Sequence, residues 1–216
     1  MIPSVNATNA KSTTVVIVPF SDRSPNMVSL FNNFYKTTYD FNWKVLEPIL
    51  EKMVNIKNQD HLEKGDAVTS FNNKISPLNL PELKDFYSFI SPIYSDVLVN
   101  KWNYPKENEY FIDISWVSKY GNGGFIEEHN HTNVVAVICA YLQIPENSSN
   151  ILFRDPNYDT KIKLSTKDDN WLWKEIESKT NEILIFEGGC HHKTNPNNSL
   201  IPRWVLTTNI TKKNKN

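Results

Sequence analysis

The stretch Val134–Ile144, VVAVICAYLQI, is a near-continuous run of apolar residues. It ends at Pro145, the first residue of a polar turn cluster, and it is much shorter than a helix that crosses a membrane. A short apolar run bounded in this way is typical of a strand that is buried on both faces. We therefore expect this stretch to form such a strand.

Further short strands are predicted on both sides of this run. Phe111–Trp116 alternates with a period of two, which is the pattern of a half-buried strand. Turn clusters separate the later apolar segments, and many short strands at such spacing predict an antiparallel sandwich or barrel. The other predicted strands are Ile151–Phe153, Ile162–Leu164, Ile183–Phe186 and Trp204–Ile210.

The first half of the chain is predicted to be mainly helical. Pro81–Trp102 has the clearest apolar stripe at helical spacing, and Pro92 predicts either two shorter helices or one bent helix. Glu63–Ser76 is polar and contains glycine, which predicts a loop. The remaining predictions are a strand at Thr13–Val18, a helix that starts at Ser24-Pro25 and continues through Leu30, Phe31 and Phe34, and a helix at Asn42–Asn55 that Pro48 kinks or begins.

These patterns predict a mainly β protein with a helical N-terminal layer. We expect residues 1–109 to form an N-terminal strand and helical support region, and residues 110–216 to form the β core of one integrated domain. The net charge of −1 gives no electrostatic reason to expect nucleic acid or an anionic membrane as a partner. Two cysteines without a zinc pattern, and no recognisable signal peptide, favour a cytoplasmic location.

Four of the five histidines lie in two short segments, Tyr120–His131 (YGNGGFIEEHNH) and Gly188–Arg203 (GGCHHKTNPNNSLIPR). On a strand, His129 and His131 point to the same face and can aim at a common point. The second segment can supply a third histidine where it follows the predicted strand Ile183–Phe186. Histidines with open positions beside them suit Fe(II), with zinc or manganese as other candidates.

One arginine accompanies the second histidine segment. Arg203 opens the last predicted strand and shares a face with Val205 and Thr207. An arginine on the inner face of a barrel is costly unless it pairs with an anion, and a carboxylate is its natural bidentate partner. The spacing of 11 residues from His192 to Arg203 predicts a hairpin that places the two on adjacent strands.

The C-terminal half also contains a series of short motifs in a fixed order. They are Tyr120-Gly121, His129-x-His131, Tyr141-Leu142, Pro145, Phe153-x-Asp155-Pro156, Ile185-Phe186, His192-x-x-x-Pro196-Asn197 and Arg203. Over about residues 116–209 this series resembles the 2-oxoglutarate/Fe(II)-dependent oxygenases of the prolyl-hydroxylase-like branch, a type common in marine bacteria and their phages.

The resemblance implies a fold, a reaction and roles for particular residues. The fold would be a double-stranded β-helix, a jelly-roll of cupin-like form, whose mouth holds Fe(II) and 2-oxoglutarate for a reaction with O2, usually hydroxylation. His129 would be the first metal ligand and His192 the distal one. Arg203 would hold the far carboxylate of 2-oxoglutarate, with Tyr120 and Tyr141 as hydroxyl donors. Trp116, Phe125 and Tyr120 are candidates for the pocket wall.

The third ligand departs from the family's pattern, because His131 stands where an aspartate or glutamate is usual. We expect three imidazoles at the metal. Glu127 is the best alternative, since it shares the face of His129, and Asp155 is a weaker one. His191 remains an alternative to His192 or to the third ligand.

Two other function classes stay open at this stage. A cupin-type metalloprotein would use His191 in its second element, but it lacks the expected glutamate after His131 and leaves Arg203 without a role. A non-catalytic jelly-roll module would bind a structural metal or none. An HNH nuclease is excluded by the missing basic surface. The substrate, small-molecule or peptidyl, is unidentified, and the N-terminal helices could form a homodimer interface or a wall of the substrate pocket.

Overall fold

Antiparallel sheets form most of the computed structural model, which describes residues 34–54, 62–71, 73, 75–156 and 172–213. The largest sheet has the strand order β1-β9-β6-β11-β4-β3, a second has the order β10-β7-β8, and a third pairs β2 with β5. The strands are β1 (Phe34–Thr38), β2 (Glu63–Lys64), β3 (Ala67–Thr69), β4 (Glu109–Tyr120), β5 (Phe125–Ile126), β6 (Ala136–Gln143), β7 (Ile151–Arg154), β8 (Trp173–Ile176), β9 (Glu182–Glu187), β10 (His192–Thr194) and β11 (Arg203–Lys213).

Strand β6 is buried on both faces, as its apolar run predicts. Val137 and Tyr141 face a core shared with Phe153 of the three-stranded sheet, whereas Ile138 and Leu142 face a second core on the helical side. The six-stranded and three-stranded sheets therefore enclose an interior between them. This is the sandwich of a jelly-roll, and the predicted fold class is confirmed.

Two helices cover the outer face of the six-stranded sheet. Helix α1 (Trp43–Met53) and helix α2 (Lys84–Asp96) contribute apolar side chains to the helical-side core, where Trp43 lies 5.6 Å from Trp204 between ring centroids. Pro92 lies inside α2 without ending it, and a π-helical turn, Val97–Lys101, follows. None of the helices in the described ranges has the length and apolarity needed to cross a bilayer.

Strand β11 fixes the position of the C-terminal arginine. It is hydrogen-bonded to β4 on one side and to β6 on the other, and Arg203 is paired with Tyr120 at its start. Trp204 and Leu206 face the helical-side core, whereas Val205 faces the interior between the sheets. By alternation, Arg203 belongs to the same inner face as Val205.

Two predictions for the N-terminal half are wrong. Phe34 begins strand β1, which pairs with the edge of β9, and it is not part of a helix. The predicted loop Glu63–Ser76 contains the short strands β2 and β3. These strands are too short to show a period-two pattern, and their partners β5 and β4 lie far away in the sequence.

Several other predictions concern residues outside the described ranges. They are the strand at Thr13–Val18, the helix start at Ser24-Pro25 with Leu30 and Phe31, and the strand at Ile162–Leu164. The division at residue 109 stays a prediction. In the structure β1 and β3 from the N-terminal part pair with strands of the C-terminal part.

Gly188 provides a test of the close packing next to the interior. A Cβ at Gly188 would overlap the Val134 carbonyl oxygen, whereas a Cβ at Gly189 would meet no atom within 4 Å. We expect Gly188→Ala to lower the free energy of unfolding by about 2 kcal/mol, as overpacked sites typically do. Gly189→Ala should change it by less than about 0.5 kcal/mol. Urea denaturation of both variants measures the difference, and equal stabilities would contradict the described packing.

Candidate metal centre

A backbone bridge brings the two histidine segments together. The His129 N–H donates to the His192 carbonyl at 3.0 Å, and the His192 N–H donates to the His129 carbonyl at 2.9 Å. This reciprocal pair places the two imidazole rings with centroids 4.2 Å apart. His192 also begins β10, where it pairs with Phe153.

His131 completes a group of three imidazoles. Its ring lies 5.3 Å from those of His129 and His192 between centroids. The ligand nitrogens of the three histidines all lie within 4.8 Å of one another. Backbone contacts place this loop, because the His131 N–H donates to the Gly188 carbonyl at 2.9 Å. The structure therefore brings together all three predicted metal ligands.

Each of the three rings is oriented by a hydrogen bond at Nδ1. The partners are the Glu127 carbonyl oxygen for His129, the Cys190 carbonyl oxygen for His192, and the side-chain oxygen of Asn209 for His131, at 2.8, 2.9 and 2.9 Å. Since these oxygens only accept, Nδ1 carries the proton in each ring and Nε2 keeps its lone pair. This arrangement is typical of metal-binding histidines.

Burial keeps the inner histidines uncharged. The pKa of His131 is lowered to about 4, mainly by burial and also by the neighbouring His129, against a smaller rise from the hydrogen bond to Asn209. Burial also holds the pKa of His192 well below its usual value, with further lowering by His129 and His131. Neutral imidazoles have the lone pairs that metal binding requires. The Nε2 of His131 is buried and has no hydrogen-bond partner among the described residues.

The alternative ligands lie elsewhere. His191 is turned outward, with its ring nitrogens 3.2 Å from Glu128 and 3.2 Å from Asn130. The side chain of Glu127 is 50% exposed and forms an ion pair with Lys64, so that its backbone oxygen, not its carboxylate, serves the site. Asp155 is buried but is not part of the group of three.

Arg203 is buried in the same interior. It is 3% exposed, and its guanidinium lies over the rings of Tyr120 and Tyr141, 5.2 Å and 5.9 Å from their centroids. One terminal nitrogen is 3.5 Å from the Ser149 hydroxyl, and Nε has no partner among the described residues. A buried cation with open hydrogen-bonding positions is a site for an anion.

The hydroxyl groups of the two tyrosines stay protonated. Burial raises the pKa of Tyr120 above its usual value, and Glu63 raises it further while Arg203 opposes this. Burial likewise raises the pKa of Tyr141, and Arg203 again opposes the change. Within the described residues the Tyr141 hydroxyl makes no hydrogen bond of normal length, although Ser178 lies close enough to lower its pKa. Both hydroxyls therefore keep their protons for donation to an anion.

The predicted hairpin between His192 and Arg203 is wrong. His192 belongs to β10 of the three-stranded sheet, whereas Arg203 belongs to β11 of the six-stranded sheet. The intervening loop crosses from one sheet to the other. The two residues therefore reach the interior from different walls of the sandwich.

A small pocket adjoins the histidines. Trp116 stacks on His131 with the rings 5.8 Å apart and 21° from parallel, and it lines this pocket as predicted. Phe125, which was also predicted to line this pocket, lines a different groove together with Lys193. Its neighbour Ile126 lines the pocket instead.

The sequence of the β core decides the family. Residues 114–209 match the family model described as "Putative 2OG-Fe(II) oxygenase". This part of the chain belongs to the 2OG-Fe(II) oxygenase family. The protein is thus an oxygenase that uses Fe(II) and 2-oxoglutarate, and the predicted resemblance is confirmed at that level. A search of curated proteins gives no significant match.

Solved structures share the oxygenase fold at low sequence identity. A prolyl-4-hydroxylase from Pseudomonas putida is 10% identical, with a TM-score of 0.57 over 84% of this chain and 93% of that chain. HygX from Streptomyces hygroscopicus, with nickel, 2-oxoglutarate and hygromycin B bound, is 8% identical, with a TM-score of 0.55 over 83% and 82%. The epimerase SnoN from nogalamycin biosynthesis is 8% identical, with a TM-score of 0.57 over 83% and 78%. Because a hydroxylase and an epimerase are both among these structures, the shared fold does not determine the reaction.

Three side chains of the oxygenase site were not predicted. Asn209 lies on the same face of the last strand as Arg203 and Val205, and extending that alternation would have found it. Ser149 lies in a turn cluster and carries no signal in the sequence. Glu63 was not identified from the sequence because its segment was predicted to be a loop.

The donor set suits Fe(II), since three neutral imidazoles leave positions open for other ligands. We expect replacement of any of the three histidines by alanine to weaken Co(II) binding by at least about 100-fold, and Asn209→Ala to weaken it by about tenfold. Titration of the metal-free oxygenase with Co(II), followed by visible absorbance, measures these affinities. His191→Ala is the matched control and should bind like the wild type. Full affinity in His131→Ala, with a loss in Glu127→Ala, would identify a carboxylate as the third ligand.

Proposed function

We propose that this oxygenase hydroxylates an unidentified substrate at a centre of three histidines, with 2-oxoglutarate anchored by Arg203. The observation that carries the proposal is the convergence of three imidazoles within 4.8 Å in the interior that also buries Arg203. When bound, iron and 2-oxoglutarate supply the activation of O2 that oxidises a C–H bond. No acid or base from the protein is required for that chemistry.

His129, His131 and His192 would hold the metal. The hydrogen bonds at their Nδ1 atoms fix the direction of each ring, which lowers the cost of ordering the site when the ion binds. The ligand set carries no negative charge. An ion held by neutral ligands is therefore more electropositive than one held with a carboxylate, and it favours an anionic cosubstrate.

Arg203 would bind the far carboxylate of 2-oxoglutarate. The proposal is supported by the burial of its guanidinium and by the two protonated tyrosines beside it. The hydroxyl groups of Tyr141 and Ser149 would donate to the same carboxylate. The apolar surroundings exclude water and so strengthen this ion pair.

The proposal also covers the kind of substrate and the cellular location of the protein. The small pocket beside His129 and His131 would receive a small molecule or one side chain of a peptide. A cytoplasmic location is supported by the two free thiols, of which Cys139 is buried.

Anaerobic titration of the Fe(II)-loaded oxygenase with 2-oxoglutarate tests the anchor, because the chelate gives a weak visible charge-transfer band. We expect wild type to form the band. Arg203→Lys should raise the 2-oxoglutarate concentration for half-saturation by about 100-fold, which corresponds to about 2.7 kcal/mol, because lysine cannot reproduce a bidentate pair.

Arg154→Lys is the matched control. Arg154 forms a surface ion pair with Glu128 at 3.0 Å, so the same substitution should leave half-saturation unchanged. An equal shift in both variants would argue against Arg203 as the anchor. If iron binds but no band forms in wild type, the use of 2-oxoglutarate at this site is refuted.

A further inference from the structure

The pocket beside the metal centre is small and has a distinctive lining. Its volume is about 240 Å³, and His129 and His131 form part of its wall. Sites for drug-sized ligands usually measure about 300–1,000 Å³. A pocket of this size admits a small molecule or one side chain, and whatever enters it lies next to the ligands of the metal.

Glu63 lines this pocket. It is paired with Ile126 across the two-stranded sheet, and its neighbour Lys64 points the other way, to the surface. One carboxylate oxygen of Glu63 accepts a long hydrogen bond of 3.4 Å from the Ser118 hydroxyl on the inner face of β4. The negative charge of Glu63 also contributes to the raised pKa of Tyr120. The Glu63 carboxylate therefore lies near the interior between the sheets.

Two aromatic rings share the pocket with this carboxylate. Phe71 and Trp116 meet edge to face, with centroids 4.9 Å apart and planes at 82°. Aromatic faces attract cations, and more strongly where water is excluded. A carboxylate together with aromatic walls is the chemistry that recognises an ammonium or guanidinium group on an apolar chain.

We propose that this pocket binds the cationic end of an aliphatic amine or guanidine, and that Glu63 determines this specificity. The inference rests on the proposed function, because the adjoining histidines are taken to hold the metal at which the substrate reacts. A free amine and a lysine or arginine side chain share this chemistry. Binding can be measured without turnover, and the inference can therefore be tested separately from catalysis.

Isothermal titration calorimetry on the protein loaded with Ni(II) and 2-oxoglutarate tests the inference with a matched pair of probes. N-acetyl-lysine methylamide carries the ammonium group, and N-acetyl-norleucine methylamide has the same carbon chain without it. We expect wild type to bind the lysine probe about tenfold more tightly, equivalent to about 1.4 kcal/mol. Glu63→Gln should remove that preference without weakening the norleucine probe. Phe71→Leu should reduce the preference in part.

Glu127→Gln is the control, since this carboxylate lies at the surface against Lys64 and should keep the full preference. n-Butylamine separates the two sources of the cation. Binding as tight as that of the lysine probe indicates a free amine, and weaker binding indicates a peptide side chain. Equal affinity of wild type for the lysine and norleucine probes, or no binding of any cationic probe, would overturn the proposal.

The affinities of Glu63→Gln for Ni(II) and 2-oxoglutarate distinguish a role of Glu63 in substrate recognition from a role in supporting the metal centre. Values equal to those of wild type support a role in substrate recognition. A loss of Ni(II) or 2-oxoglutarate affinity with an unchanged preference for lysine would mean that Glu63 supports the metal centre instead. If wild type binds neither Ni(II) nor 2-oxoglutarate, the proposed function fails. The lysine and norleucine comparison on the metal-free protein then still reports on the pocket.

Discussion

The reciprocal backbone hydrogen bonds between His129 and His192 are the constraint on which the metal centre depends. His129 lies outside the named strands, and His192 is the first residue of the short strand β10. The bridge joins the two segments. At the surface, the contacts of His191 with Glu128 and Asn130 connect the same two segments. Because backbone groups make the bridge, its hydrogen bonds do not require particular side chains at these two positions.

The charges in the interior relate the candidate metal centre to Arg203. The three imidazoles are neutral, so a bound dication keeps its full charge, and the guanidinium of Arg203 adds another positive group in apolar surroundings. Burying these positive charges is costly unless anions pair with them. A dicarboxylate can neutralise both ends at once. With three imidazoles as the proposed ligands, the metal centre would depend more on its cosubstrate for charge balance than a centre with an acidic ligand.

The sequence predicts much of the β core, because long strands there show their burial directly. The apolar run of β6 and the alternation of β4 are confirmed, and the three histidines predicted as ligands are brought together. The errors have one physical cause. The strands β1, β2 and β3 are stabilised by pairing with distant partners, and a few residues carry no periodicity of their own. The crossing from β10 to β11 was missed for the same reason, since spacing alone cannot distinguish a hairpin from a change of sheet.

Strand β11 carries Arg203 at its start and Asn209 six positions later, with β4 and β6 bonded along both edges. At about 3.4 Å per residue, this length sets a span of about 20 Å between the two backbone positions. A single-residue insertion between them would turn one of the two side chains out of the interior. Under the proposed function, the strand would therefore keep Arg203, the anchor of the cosubstrate, at a fixed distance from Asn209, which supports the metal ligand His131.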